Sequence, residues 1–181
     1  MGLINDCARL FSNYTKYNYI LTLDCCYTLK IAFKSEHFYH LAGLHYLRDI
    51  KEIDNRLPAN SAKRIYKSIC KNQITQETIE KSKQYSKIKN RLENFLKLDD
   101  VINCKIVVDF DYTKVPQTKI QSKYILYTQY NGLYIMLGLK YDDDVLIPET
   151  FIVDKTDYYI KNQTCYNVVN IEKEKVGHRK K

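Results

Sequence analysis

Ser122–Leu139, SKYILYTQYNGLYIMLGL, sets the fold class. Aromatic and β-branched residues fill Ser122–Tyr130 and again Leu133–Leu139, the composition that suits a pleated, half-buried backbone. Asn131-Gly132 separates the two runs. A type I′ turn needs positive φ at both central positions, and Asn-Gly meets that need with least strain, so a tight β-hairpin is predicted. On the N-terminal side, Cys104–Phe110 reads as the strand before it. Asp142-Asp143-Asp144 makes the turn after it, and this acidic run lacks the Gly and terminal Glu of a calcium loop. A strand around Pro148–Val153, a loop through Asp157–Tyr159 and a strand over Tyr166–Ile171 complete an antiparallel sheet of four to five strands.

The first half reads differently. Residues 2–14 carry Leu3, Cys7, Leu10, Phe11 and Tyr14 at helical spacing. Tyr17–Leu23 and Tyr27–Phe33 alternate as a hairpin turning at Asp24–Cys26. Phe33–Leu47, FKSEHFYHLAGLHYL, then reads as one helix with Ser35 as N-cap and Glu36 where the helix dipole favours negative charge. At ~100° per residue, Phe38, Leu41, Ala42 and His45 share one face, while His37, His40, Leu44 and Leu47 share another. Two apolar faces imply packing on both sides, with His40 partly buried beside Leu44 and Leu47 and tunable toward neutrality by a neighbouring charge. A polar connector ends at Leu57-Pro58. Further helices run from Ser61 to Lys71, from Thr75 (an N-cap), and through Tyr85, Ile88, Leu92, Phe95 and Leu96. Helices first and strands second give an α+β class, with N-terminal helices packed on a C-terminal sheet.

At 181 residues, 45% hydrophobic and 28% charged, the chain is long enough for one cored domain over residues 1–176, with a basic tail at 177–181. Five Gly and three Pro leave little for long linkers. The net charge of +8 is concentrated: between Asn60 and Arg91 nine Lys and Arg face only Glu77 and Glu80. Such a block attracts a polyanion through counterion release, although solvated lysine-rich helices look the same. The 17 tyrosines suit either base stacking or half-wet sheet faces. Six cysteines without CxxC spacing fit neither a disulfide framework nor a zinc ribbon, so reduced thiols and a cytoplasmic setting are expected. No apolar run approaches ~18 residues, so no membrane partner is expected.

Motifs for most chemistries are missing. His37, His40 and His45 have no HExxH spacing, and the first and last point to different faces, so no metal is assigned. Gly-rich phosphate loops and the Gly-x-Ser-x-Gly elbow are absent, and no cofactor is expected. What remains is an imidazole, many cations and several hydroxyls. Those parts suit metal-independent RNA cleavage, in which the 2′-OH attacks its own phosphate and the protein supplies proton transfer and positive charge.

The order of motifs narrows this further. The string F-x(4)-F-x-H-L-A-G-L-H-x-L-R-D-I, Phe33–Ile50, is followed by I-T-x-E-x-I-x-K-S over Ile74–Ser82 and S-K-I-K-N-R-L-E-N-F over Ser86–Phe95. The strand pair around Lys123-Tyr124 and the pieces P-E-T-F and D-x-Y-I-x-N-Q within Pro148–Gln163 come next. Across residues 17–172 this resembles the phage-type barnase–EndoU–colicin–RelE-like nucleases, fourth subfamily.

The resemblance implies helices packed on a four-stranded antiparallel sheet, ribonuclease activity, and a role in phage–bacterium conflict. It makes His40 the general acid or base and Thr150, in a place where Ser is expected more often, a hydroxyl donor to phosphate. Arg91 or Lys123 becomes the clamp on the scissile phosphate. Tyr159 and Gln163 either contact a base or seal a loop, and Lys83, Lys87 and Lys89 are the expected RNA-binding lysines. Ala42 stands where a Thr is expected. The expected partners are tRNA or another structured RNA and an antitoxin or inhibitor protein. The rival reading keeps the fold without catalysis, as an RNA-binding or protein-binding module such as an inhibitor of a bacterial defence complex.

Overall fold

The computed structural model describes residues 2–177 and is α+β. Of the basic tail expected at 177–181, residues 178–181 lie outside the described residues. The chain divides into two compact units: residues up to Ser12 with Lys34–Leu98, and Asn13–Phe33 with residues from Asp99 onward.

The first unit is helical. It contains most of α1 (Leu3–Tyr14), then α2 (His37–Leu41), α3 (Ala62–Cys70), α4 (Gln76–Glu80) and α5 (Ser86–Phe95). Its centre is a cluster of four rings, Phe11, Phe38, Tyr66 and Phe95, with centroids 5.3–6.3 Å apart. Each buried ring contributes about 1.5–3 kcal/mol by leaving water, with a further ~1 kcal/mol from edge and tilted contacts. Two helix starts are fixed by their caps. Ser61 accepts the Arg64 amide, and Thr75 forms a reciprocal capping box with Thr78.

The second unit is a closed barrel of seven strands in the order β1-β2-β6-β5-β4-β3-β7. They are β1 (Tyr17–Leu23), β2 (Thr28–Ala32), β3 (Ile106–Asp109), β4 (Tyr124–Tyr130), β5 (Leu133–Asp142), β6 (Val145–Asp154) and β7 (Thr164–Lys175). The count exceeds the four to five expected. β7 is long enough for its first residues to pair with β3 and its later ones with β1, which recruits the β1–β2 hairpin into the same sheet. A single parallel pair, Ile31 with Leu146, then closes the ring through β6.

The Asn131-Gly132 turn has the required positive φ at both residues, 49° and 73°. Asp143, φ 54°, turns β5 into β6. Between the pairs Leu139–Pro148 and Gly138–Thr150, Glu149 is the extra residue of a bulge. Pro148 sits at that irregularity, where its missing amide disturbs the ladder least. The Ser122 hydroxyl, nearly buried, donates to Glu149 Oε2 at 2.6 Å and gives the displaced carboxylate a partner.

Candidate active site

Gly43 breaks the helix expected over Phe33–Leu47. It adopts φ 77°, in the left-handed region, where a side chain is strained. α2 therefore stops after Leu41, and Leu44–Tyr46 forms a separate 3₁₀ turn. The helical wheel fails at this point. His40 and His45, assigned to different faces, have ring centroids 4.9 Å apart. His40 is exposed rather than partly buried beside Leu44 and Leu47, both of which are sealed in the core. Ser35 is not the cap either. Its hydroxyl donates to Glu36, while Nδ1 of His37 accepts the Lys34 amide.

α2 is anchored by Phe38, Tyr39 and Leu41, all buried, and the Tyr39 hydroxyl donates to the Ile53 carbonyl at 3.1 Å. Asp49 fixes the turn beyond Leu47, accepting from the Ser82 hydroxyl at 2.6 Å and the Lys83 amide at 2.8 Å. Those two bonds hold the Asp49 carboxyl below its ordinary pKa.

Arg91 reaches this corner from α5. Its Nη1 donates to the His40 carbonyl at 3.2 Å, and its guanidinium stands 6.0 Å from the Tyr46 ring centre. Burial pushes its pKa down from the ordinary arginine value. Among the described residues it has no ion pair with a carboxylate, an unusual arrangement for a partly desolvated charge. Arg48 adds a second guanidinium nearby, its Nε donating to the His45 carbonyl at 3.3 Å.

His45 registers the combined field. Burial first, then the charges of His40, Arg91 and Arg48, lowers its pKa to about 4. Its Nδ1 is buried without a protein partner among the described residues, and its ring lies 4.1 Å from that of Tyr46. No group of three His, Cys, Asp or Glu converges as a metal-ligand set among the described residues. The corner presents two imidazoles, a phenol and two guanidinium groups. This chemistry can bind an anion and move protons. His45 and Arg48 went unassigned in the sequence, although the Gly between the two histidines was the signal that a uniform wheel could not be trusted.

The lysines expected to bind RNA lie in the same unit. Lys83, Lys87 and Lys89 are all exposed. Lys87 precedes Arg91 by one helical turn and shares its side of α5, whereas Lys89 is 3.9 Å from Glu93 on another side.

The other expected residues belong to the barrel. Lys123 is held by Asp109 at 2.6 Å, with its ammonium 5.5 Å from the Tyr124 ring. It lines a cleft of 460 Å³ with Asp111, Tyr112, Lys114 and Ser122. Thr150, half-buried on β6, pairs with Gly138, and a Cβ on that glycine would fall 2.8 Å from the Thr150 methyl. Gln163 seals a loop: its side chain accepts the Asp111 amide at 2.9 Å and donates to the Asp111 carbonyl at 3.1 Å. Tyr159 packs on the barrel core of Val108, Phe110, Val115, Ile125 and Met136, with its ring 5.2 Å from Tyr158.

No helix among the described residues is long and apolar enough to cross a membrane. No curated protein and no solved structure matches the chain significantly. A family model described as phage-Barnase-EndoU-ColicinE5/D-RelE like nuclease4 matches residues 3–181, almost the whole sequence. On that match the chain belongs to this family of phage-type Barnase-EndoU-ColicinE5/D-RelE like nucleases.

Proposed function

We propose that the protein is a metal-independent endoribonuclease whose chemistry is centred on His40 and Arg91. The observation that carries this reading is the Arg91 guanidinium, partly desolvated, without a carboxylate partner among the described residues and bonded to the backbone of His40. A cation kept in that state is matched by an anion from outside, and a phosphodiester supplies one beside an imidazole. Arg91 would hold the non-bridging oxygens as the 2′-OH attacks phosphorus, offsetting the charge that builds in the phosphorane. His40 would move a proton to or from the reacting oxygens.

Lys83 and Lys87 extend the positive surface along the approach to Arg91, with Lys89 adding general attraction. The substrate is tRNA or another structured RNA, cleaved in phage–bacterium conflict and restrained by an inhibitor protein in the producing cell. Thr150 and Lys123 are proposed contacts of the barrel unit with the RNA strand, Lys123 once its ammonium leaves Asp109.

The test is RNA cleavage by purified protein in excess EDTA. Wild type is expected to leave 2′,3′-cyclic phosphate and 5′-hydroxyl ends and to spare RNA with 2′-deoxy substitution at the cut. His40→Ala and Arg91→Ala should each fall by about 10²–10³-fold. If wild type binds RNA with a steep salt dependence and never cuts it, the protein is a binding module.

A further inference from the structure

We propose that His45 is the second proton-transfer group of the site, taking the proton from the attacking 2′-OH while His40 gives one to the leaving 5′-oxygen. The proposal rests on the ribonuclease reading above and names a residue that reading does not need.

Geometry comes first. The left-handed turn at Gly43 carries Leu44–Tyr46 back, so that the His45 ring lies 4.9 Å from His40 and 4.1 Å from Tyr46. An imidazole wedged between two rings is held in one orientation. Its Nδ1 edge is sealed and its main-chain carbonyl is fixed by Arg48, which leaves Nε2 as the nitrogen able to meet a substrate. A residue that served only as filler at this position would satisfy the same packing without a buried nitrogen lacking a protein partner.

Charge comes second. The groups facing His45 are His40 on α2, Tyr46 and Arg48 on its own segment, and Arg91 on α5. Asp49, the nearby carboxylate in sequence, is taken up by Ser82 and the Lys83 amide. In that cationic setting His45 stays neutral in the free protein, the form a general base must have. A phosphodiester seated on the two guanidinium groups offsets part of that positive charge and raises the proton affinity of His45 as the 2′-OH begins to ionise.

The step balances. The 2′-O–H bond breaks and its proton goes to Nε2 of neutral His45. The O2′–P bond forms and the P–O5′ bond breaks, with the electron pair leaving on O5′, which takes a proton from the His40 imidazolium. The products are a 2′,3′-cyclic phosphate and a 5′-hydroxyl. His45 ends protonated and His40 neutral, and exchange with water restores both.

The experiment uses the full chain in EDTA, with ordinary RNA and with RNA whose 5′-bridging oxygen is sulfur, a leaving group that needs no acid. His45→Ala and His45→Gln should lose about 10²–10⁴-fold on both substrates and lose the limb of the pH–rate profile that rises with pH. His40→Ala should lose a similar factor on ordinary RNA and regain most of it on the sulfur substrate. In wild type, the NMR titration midpoint of the His45 ring should move up on adding inorganic phosphate. That measurement holds even if the variants fold poorly. Full activity in His45→Gln, rescue of His45→Ala by the sulfur substrate, or a midpoint indifferent to phosphate overturns the proposal. The ribonuclease reading survives those results if His40→Ala and Arg91→Ala still lose about 10²–10³-fold on ordinary RNA. A wild type that leaves RNA whole overturns both.

Discussion

Gly43 and Ile88 meet where no side chain fits between them: a Cβ built on Gly43 would fall 2.8 Å from Cγ2 of Ile88. The same glycine carries φ 77°. Gly43→Ala therefore combines backbone strain with overpacking, and its stability should drop by about 2–4 kcal/mol in urea unfolding. Ile88→Ala should cost less in the Gly43→Ala background than in wild type, because it removes the clash. Additive effects would show that strain alone explains the loss. RNA cleavage should fall with Gly43→Ala, since both imidazoles depend on the turn.

Arg91→Lys separates charge from shape. A lysine keeps the positive charge but loses the planar fork that can bond the His40 carbonyl and two phosphate oxygens together. Cleavage should fall about tenfold or more, between wild type and Arg91→Ala, with little change in unfolding free energy. Wild-type rates in Arg91→Lys would mean that a point charge suffices.

The depressed pKa of His45 links stability to pH. Its folded pKa, about 4, lies below the ordinary histidine value of 6.5, so between these values the unfolded chain binds more protons than the folded one. Its contribution is fully present above pH 6.5 and is lost as pH falls toward 4. Chemical denaturation followed from pH 7 to pH 4 should show stability declining over this window, before Asp49 and Asp54, whose pKa values are lowered, begin to protonate. His45→Gln should flatten the slope. An unchanged slope would place the titrating group elsewhere.

Gln163→Ala tests a structural role against an RNA contact. Two part-buried bonds to the Asp111 backbone would be lost, costing about 1–3 kcal/mol of stability. Cleavage below the unfolding transition should stay within about twofold of wild type. A selective loss of RNA affinity at unchanged stability would return Gln163 to the substrate surface.

Local chemistry made parts of this protein legible in advance. Asn131-Gly132 and Thr75 announce a turn and a cap because each acts on backbone groups a few residues away. The arrangement of the histidines was hidden because a wheel assumes unbroken helical φ and ψ, and one left-handed residue at 43 reorients the segment after it. The seventh strand was underestimated for a different reason. Tyr166–Ile171 shows its pattern, but the residues beyond are mostly exposed and charged, and only pairing with β1 extends β7 to Lys175. His40 and Arg91 were legible as candidates by type and motif. Their proximity was not, because it depends on α5 crossing a glycine 48 positions earlier than Arg91 in the chain.

The lone Ile31–Leu146 link gives one seam of the ring fewer ladder pairs than any other. The neighbouring β5–β6 ladder runs from Tyr134 to Asp142 on one strand, so unzipping it would break many bonds at once, whereas parting β2 from β6 breaks very few. Amide protons along β2 that face β6 should thus exchange with solvent before any others in the sheet. Any strand that joined this sheet from another chain would find its point of insertion there, as an eighth stave slipped into the gap.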